Sequence, residues 1–437
     1  MRVAVVGGGI TGMSAAYELA KRGIPCTLFE KDETLGGLAG SFKVNNTYLE
    51  KFYHHLFTTD TAMVELIHEL GLGDQFVWND SNTGLYYVQR IYRLATPMDV
   101  LRFKPLSFPD RIRMGMLAIW PRFIRDWHKL EEITAQEWLL RYAGPRVYQV
   151  VWEPLLRNKF GHYHDQVAAV WIWNKLVLRG GSRDVRSGAE KLGYQRGGFG
   201  PVFIAWEKRM REMGVDIRLN SPVEHIRIES GRAVGVVAAG QFEPFDQVIV
   251  TTAPAILAEM APDLPEAYRH QLQQIIYLAN VCLVLKLKRS LSTTYWLNIA
   301  DPTIPFVGLI EHTNMQRPDE YGGAHIAYLS RYLDADDPYY RMSAEELFEA
   351  YLPHIRKMFP EFDASWVEEK WAWRERWTQP VILRHYSKIR PALKTPVDNL
   401  WLSCMASIYP QDRGMNYALL YGRKVVREML GEGDAPA

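Results

Sequence analysis

Residues 3–20 read VAVVGGGITGMSAAYELA, and about eighteen residues beyond Gly12 a second apolar run, CTLFE, ends in an acid, Glu30. A short apolar strand, a glycine triplet, a helix opening at Ile10 and Thr11, a second strand and a terminal acid therefore follow in order within thirty residues. Each glycine has a physical task. Gly7 makes the tight turn after the strand, Gly9 lets backbone approach a pyrophosphate, and Gly12 permits close packing of helix on strand. The helix then aims its first amides at the phosphates, and the acid takes the ribose hydroxyls. The segment reads as a dinucleotide site on a Rossmann-like α/β unit.

From Glu30 and Lys31 the chain reads EKDETLGGLAGSF, in which Gly36, Gly37 and Leu38 stand where a nicotinamide dehydrogenase proceeds directly to its next crossover. This second glycine pair resembles that of FAD enzymes of the amine oxidase and protoporphyrinogen oxidase superfamily, which also holds phytoene desaturases and, more distantly, UDP-galactopyranose mutases. In that family the pair lets backbone pass the flavin's phosphate and ribityl region. Many members have arginine where Leu38 stands.

Composition bounds the function classes. The chain has 437 residues, 48% hydrophobic, enough for two or three domains with large cores. A formal net charge of +1 gives no global field that calls for nucleic acid. Cys26, Cys282 and Cys404 lack metal spacing and fit a reducing, cytoplasmic compartment as buried fillers, with Cys404 expected inside a strand. Met1 and Arg2 lead straight into the first strand, so no signal peptide is expected. No apolar run reaches the about twenty residues that span a bilayer.

The pattern then crosses repeatedly between two expected domains. After KFYHHLFTTD comes a helix, AMVELIHELGLG, stopping at Gly71. From Asn82 to about Lys191 the alternation gives way to long aromatic-rich helical stretches, a candidate substrate domain. GYQRGGFGPVFIAWEKRMREMGVDIRL restores a glycine turn, helix and strand; SPVEHIRIESGRAVGVVAAG reads as a hairpin turning at Ser230 and Gly231; DQVIVTTAP reads as a core strand. VCLVLKLK and the stretch around SAEELFEAYLPHIRKMF complete the second half of the substrate domain. The expected organisation is an FAD-binding domain of the glutathione reductase-like type from 1–80, 192–270 and 395–431, interleaved with an α+β substrate domain from 81–191 and 271–394. EGDAPA at the end reads as disordered.

The chain closes with DNLWLSCMASIYPQDRGMNYALLYGRKVVREML, a strand from Leu400, a loop to Arg413 and a helix after Gly414. It is similar to the family's last strand and helix, whose N-terminus faces the pyrimidine end of the flavin and stabilises its negative charge on reduction. Gly414, Met415 and Asn416 match the positions near the ring, where members usually carry a glycine-alanine pair. Val223, after Pro222, matches the residue that meets the adenine through its backbone. The resemblance covers the whole length and implies non-covalent FAD.

Catalytic candidates are fewer, because flavin chemistry needs mainly position and electrostatics from the protein. His54 and His55 lie where the family runs its chain past the flavin, and HHLFTTD is close to the corresponding stretch of UDP-galactopyranose mutases. A histidine can act as a base near neutral pH, although one of two neighbours usually faces core or solvent. EPLLRNKFG and the residues after it carry Arg157, Lys159 and Arg179, which read as holders of an anionic substrate group or as solvated helix faces. His162 and His164 lack a third ligand, so no metal site is expected. The stretch from Pro97 to Leu130 mixes large apolar residues with Arg102, Lys104, Arg111, Arg113, Arg122 and Arg125; it can lie on a membrane or pack on its own protein. These readings combine into an FAD-dependent oxidoreductase that oxidises or desaturates an apolar or ring-containing, lipophilic small molecule by hydride transfer, in the cytoplasm or at the inner face of a membrane. The alternatives are a non-redox flavin-dependent sugar-nucleotide mutase and a flavin-binding protein without turnover. Oligomeric state is not legible.

Overall fold

The computed structural model describes residues 1–182 and 190–433. Its first sheet is parallel throughout, with strands in the order Asp216–Arg218, Cys26–Phe29, Val3–Val6, Gln247–Val250 and Leu400–Leu402. Apart from the edge strand Asp216–Arg218, these strands read as largely apolar runs because both faces are covered. Val3 and Val5 point into a cluster with Met13 and Ala16 of the first helix, Ile10–Lys21, and with Leu419 and Val425 of the last, Met415–Met429. Ala4 and Val6, one residue out of phase, meet Ile226, Ala233 and Val236 of a three-stranded antiparallel sheet on the other face. That small sheet contains the expected hairpin, Val223–Glu229 and Arg232–Ala238, with Ser230 and Gly231 both at positive φ as its two-residue turn requires. The first and last helices touch closely: Ser14 Oγ donates to the Leu419 carbonyl at 2.7 Å.

A second sheet of seven strands has the order Val367–Pro380, Tyr277–Leu287, His325–Leu333, Gly308–Glu311, Trp296–Ile299, Thr83–Tyr87 and Arg90–Arg93. One face buries Val281, Leu283, Leu309 and Leu329 under Phe348, Tyr351 and Ile355 of the helix Ala344–Met358, which starts in a Ser343–Glu346 capping box. The opposite face presents Asn280, Trp296, Asn298, Ser330 and Tyr332 to a cavity.

Two expectations are corrected. Residues 83–93 form an edge hairpin of this sheet instead of opening a helical region, turning at Val88 and Gln89, both at positive φ. The alternation in TGLYYVQRIYR supports strands, and Thr83–Tyr87 finds a parallel partner in Trp296–Ile299, more than two hundred residues away in sequence. Cys404 is not in a strand but follows Leu400–Leu402 and precedes a single 3₁₀ turn; all three cysteines are free and buried. The expected disordered tail lies, from residue 434, outside the described residues.

Helices fill 97–181, among them Pro97–Arg102, Phe108–Ile119, Ala135–Tyr142, Glu153–Phe160 and Ala169–Gly181. Thr96, Ser107 and Thr134 cap three of them through side-chain oxygens. No helix among the described residues is long and apolar enough to cross a membrane.

Candidate functional site

The first strand ends at Val6 with the Gly7 amide donating to the Phe29 carbonyl at 2.8 Å. The turn is tight because Gly12 must sit against it: a β-carbon on Gly12 would stand 1.8 Å from the Gly7 carbonyl oxygen. Gly9 differs, since a β-carbon there would meet nothing within 4 Å. It faces a cradle at the start of the helix, beside the buried Ile10 and Thr11. The second glycine pair lies directly on this turn. The Gly36 amide donates to the Gly8 carbonyl at 2.9 Å, Gly9 and Gly36 form a parallel bridge, and a β-carbon on Gly37 would stand 3.1 Å from Gly9 Cα.

Glu30 closes the outer end. Its carboxylate accepts the Gly8 amide at 2.6 Å and the Asp32 amide at 2.9 Å, and burial pushes its pKa up against those bonds. Lys31 is exposed. The Ser221 amide donates to the Glu30 carbonyl at 2.8 Å and the Asn220 amide to the Asp32 carbonyl at 3.0 Å, two and three residues before Val223. Thr251 gave no signal in the sequence, yet its hydroxyl reaches the carbonyls of Val6 and Gly7, both at 3.0 Å, bracing the turn from the fourth strand.

At the far end of this cleft lies a cavity of ≈ 420 Å³. Leu38 and the start of the last helix, Gly414 and Met415, form one end, with the unpaired amides of that first helical turn beside it. Asn416 stands in that same first turn; its side chain is buried outside the cavity lining and accepts the Met63 amide at 3.1 Å. One wall is the seven-stranded sheet; the other is Val151, Trp152, Leu155, Trp171 and Leu176. Tyr53, His54 and His55 line the cavity, positioned by Glu50 just before them. The buried Glu50 carboxylate accepts Tyr194 Oη at 2.8 Å and the Phe199 amide at 2.7 Å, and its carbonyl accepts Tyr328 Oη at 3.0 Å. This ties residue 50 to the second sheet.

The cavity's charged residues come from three parts of the chain. Lys159, Lys175, Arg179 and Arg413 line it together with Asp60 and Asp412. Asp412 is engaged on both oxygens, by Trp171 Nε1 at 3.1 Å and by the Lys175 ammonium, and its amide donates to Asn174. Arg413 donates to Gln379 Oε1 at 2.8 Å and Tyr332 Oη at 2.7 Å. Of these, only Lys159 and Arg179 stood out in the sequence as holders of an anion. Arg157 lies outside, exposed and paired with Glu153 at 2.9 Å, because one helix cannot turn residues two apart to the same face. His162 is exposed and stands 3.5 Å from Asp334, and His164 is half-buried with its Nδ1 3.1 Å from the Gly161 carbonyl oxygen. No group of three metal-ligating side chains occurs among the described residues.

The chain matches the family described as flavin containing amine oxidoreductase over residues 10–430. It belongs to that family. A coproporphyrinogen III oxidase of Propionibacterium freudenreichii subsp. freudenreichii is 23% identical over 338 residues, 64% of this chain and 62% of the relative. A 4,4'-diapophytoene desaturase of Staphylococcus aureus (strain Newman) is 22% identical over 317 residues, 64% of this chain and 61% of the relative. The chain thus spans about three-fifths of the length of these curated relatives. A solved structure of reduced UDP-galactopyranose mutase shares the fold, with a TM-score of 0.77 at 16% identity over 98% of this chain and 95% of that one.

The residues of this family member fit FAD, the family's cofactor. The open cradle at Gly9 and the helix start suit its pyrophosphate, Glu30 its ribose, and Leu38, Gly414 and Met415 its ring end. His54 and His55 line the same cavity as neutral rings. Burial foremost, then Arg413, lowers His54 to about 4 against the Phe52 carbonyl that accepts its Nδ1–H at 2.5 Å. Burial, then Arg179, lowers His55 to about 3. Substrate-driven flavin reduction is therefore expected to show no ionisation near pH 6.5. An inflection there that disappears in His54→Asn would mean the ring stays solvated. The stability these rings contribute is present above about pH 6.5, their unfolded pKa, and is lost as pH falls through the folded values.

Proposed function

We propose that this protein is an FAD-dependent oxidoreductase that oxidises or desaturates an apolar or ring-containing molecule inside the cavity. One observation carries the reading: an apolar, aromatic-walled cavity ends on the residues suited to the flavin ring, with neutral histidines beside them. The bound flavin would supply the two-electron acceptor, taking hydride at N5 while the second proton leaves as H⁺, and an external acceptor would reoxidise it. The protein's part is to exclude water and to orient the substrate between sheet and helices. The test is anaerobic addition of candidate substrates to oxidised holoenzyme, with bleaching of the visible flavin band expected for the true one. Rearrangement of a UDP-sugar only after dithionite, with no net electron transfer, would instead establish the mutase reading that HHLFTTD supports.

The substrate source follows from the helices 97–123. Met98, Phe108, Ile112, Met116, Ile119 and Phe123 are all exposed, Phe123 at 72% and Met116 at 62%, whereas Val100, Met114 and Ala118 of the same segments line the cavity. Arg102, Lys104, Arg111, Arg113, Arg122 and Arg125 accompany the exposed face. Apolar side chains among cations match the interface of a bilayer containing anionic lipid. We place the protein in the cytoplasm, at the inner face of such a membrane. Met116→Asp/Phe123→Asp is expected to reduce sedimentation with phosphatidylglycerol vesicles at least about tenfold, while leaving FAD content unchanged. Equal sedimentation of both proteins would remove the docking face from the proposal.

A further inference from the structure

The cavity carries more positive charge than its own carboxylates answer. Lys159 Nζ lies over the Tyr332 ring, 4.5 Å from its centroid, and 5.6 Å from the centroid of Trp171. Arg413 meets the same tyrosine at its hydroxyl, 2.7 Å away. Neither cation has a carboxylate within ion-pair distance among the described residues. Asp412 is already engaged by Lys175 and Trp171, Arg179 has Glu190 at 4.0 Å, and Asp60 accepts the Phe57 amide at 2.8 Å. Aromatic faces attract an ammonium but do not neutralise it, and for these two half-buried cations partial loss of water without a counter-charge is unfavourable. The same burial, with Arg413 and Lys175 nearby, lowers the Lys159 pKa. An anion between the two cations would reverse that cost. Arg413 immediately precedes Gly414 and Met415 at the end suited to the flavin ring, while Val151, Leu155 and Met114 line the same cavity with apolar surface.

We infer that the substrate carries an anionic group, a carboxylate or a phosphate, which seats between Lys159 and Arg413 at the flavin end, with its apolar remainder directed toward the helices 97–119. The inference rests on the oxidoreductase reading above and narrows its substrate class to acidic amphiphiles. A membrane amphiphile would enter head first, leaving its tail nearest the bilayer. The observation behind it is charge, which the apolar walls and the docking face do not explain.

The test uses FAD-loaded protein and tryptophan fluorescence, since Trp152, Trp171 and Trp296 line the cavity. Octanoate, octyl phosphate and octanol are titrated below micelle formation. At least one acid is expected to bind tenfold or more tightly than octanol, and which acid does so distinguishes carboxylate from phosphate. The preference is expected to vanish in Lys159→Met and in Arg413→Gln, to survive in Lys159→Arg, and to persist in Arg157→Met on the outer face of the same helix. Octanol binding as tightly as both acids would overturn the inference, as would an acid preference unchanged in both cavity variants while their flavin potential falls, which would assign the cations to the flavin alone. Either result, obtained with FAD retained and the flavin still reducible by a neutral substrate, leaves the oxidoreductase reading standing. Absence of FAD, or a flavin that no substrate reduces, would be that reading's own failure.

Discussion

Gly12→Ala is expected to abolish FAD retention and to destabilise the protein itself, whereas Gly9→Ala is expected to lose FAD from an intact fold. The two glycines stand three residues apart in one turn, but their surroundings differ. A β-carbon on Gly12 would lie 1.8 Å from the Gly7 carbonyl oxygen and 3.0 Å from Thr251 Oγ1, so the first helix must move off the first strand. Backbone cannot yield as a side chain can, and the cost is on the order of 3 kcal/mol or more. At Gly9 the same carbon meets nothing within 4 Å, and the local φ of −70° accepts alanine. It would instead occupy the cradle where a phosphate approaches the helix amides. A loss of two to three orders of magnitude in FAD affinity, about 3–4 kcal/mol, is expected. The ratio of flavin to protein absorbance and the Tm of the apoprotein measure the two effects separately. A Gly9→Ala protein that retains FAD normally would mean that the cradle does not hold the pyrophosphate.

The second large effect is expected at Asp412. Burial alone would raise its pKa, but the neighbouring Lys175, then Lys159 and Arg413, outweigh burial and hold the carboxyl below its usual range. Asp412→Asn keeps the shape and an oxygen for Trp171 Nε1, and removes only the charge. Lys175 then loses its one ion-pair partner among the described residues, and Lys159 and Arg413 gain a less opposed neighbour. Breaking a buried pair by removing one partner typically costs 3–5 kcal/mol, and a deficit of about that size is expected in denaturant unfolding at pH 7. Lys175→Met in the Asp412→Asn background should recover part of it, a coupling that a double-mutant cycle reads directly. The sign of the pH dependence follows from the lowered pKa. The carboxylate's contribution is present above its unfolded pKa, about 4, and is lost as pH falls through the still lower folded value, so the deficit should shrink in acid. A variant as stable as the parent at neutral pH would show that the cavity's cations do not depend on this carboxylate.

Much of the fold was legible locally. The first strand and helix, the turn at Ser230 and Gly231, the capped helix after Ser343 and the last helix after Gly414 are each written within a short window, because glycine sterics, capping and side-chain periodicity act over a few residues. The edge hairpin at 83–93 is hard to read locally because its short alternation runs directly into the helical residues that follow it. Its partner strand lies more than two hundred positions on.

The site divides in the same way. The tight turn at Gly7, Gly9 and Gly12, the acid at Glu30 and the second glycine pair are written in short windows, since strand, turn and helix requirements act locally there. Tertiary packing alone set Asn416 toward Met63, and Arg157 toward solvent while Lys159 enters the cavity. It also decided that Asp412 and Arg413 meet Trp171, Lys175, Tyr332 and Gln379. Those contacts join residues up to about 240 positions apart, and a charge's partner and burial are properties of the surrounding packing, which no local window contains.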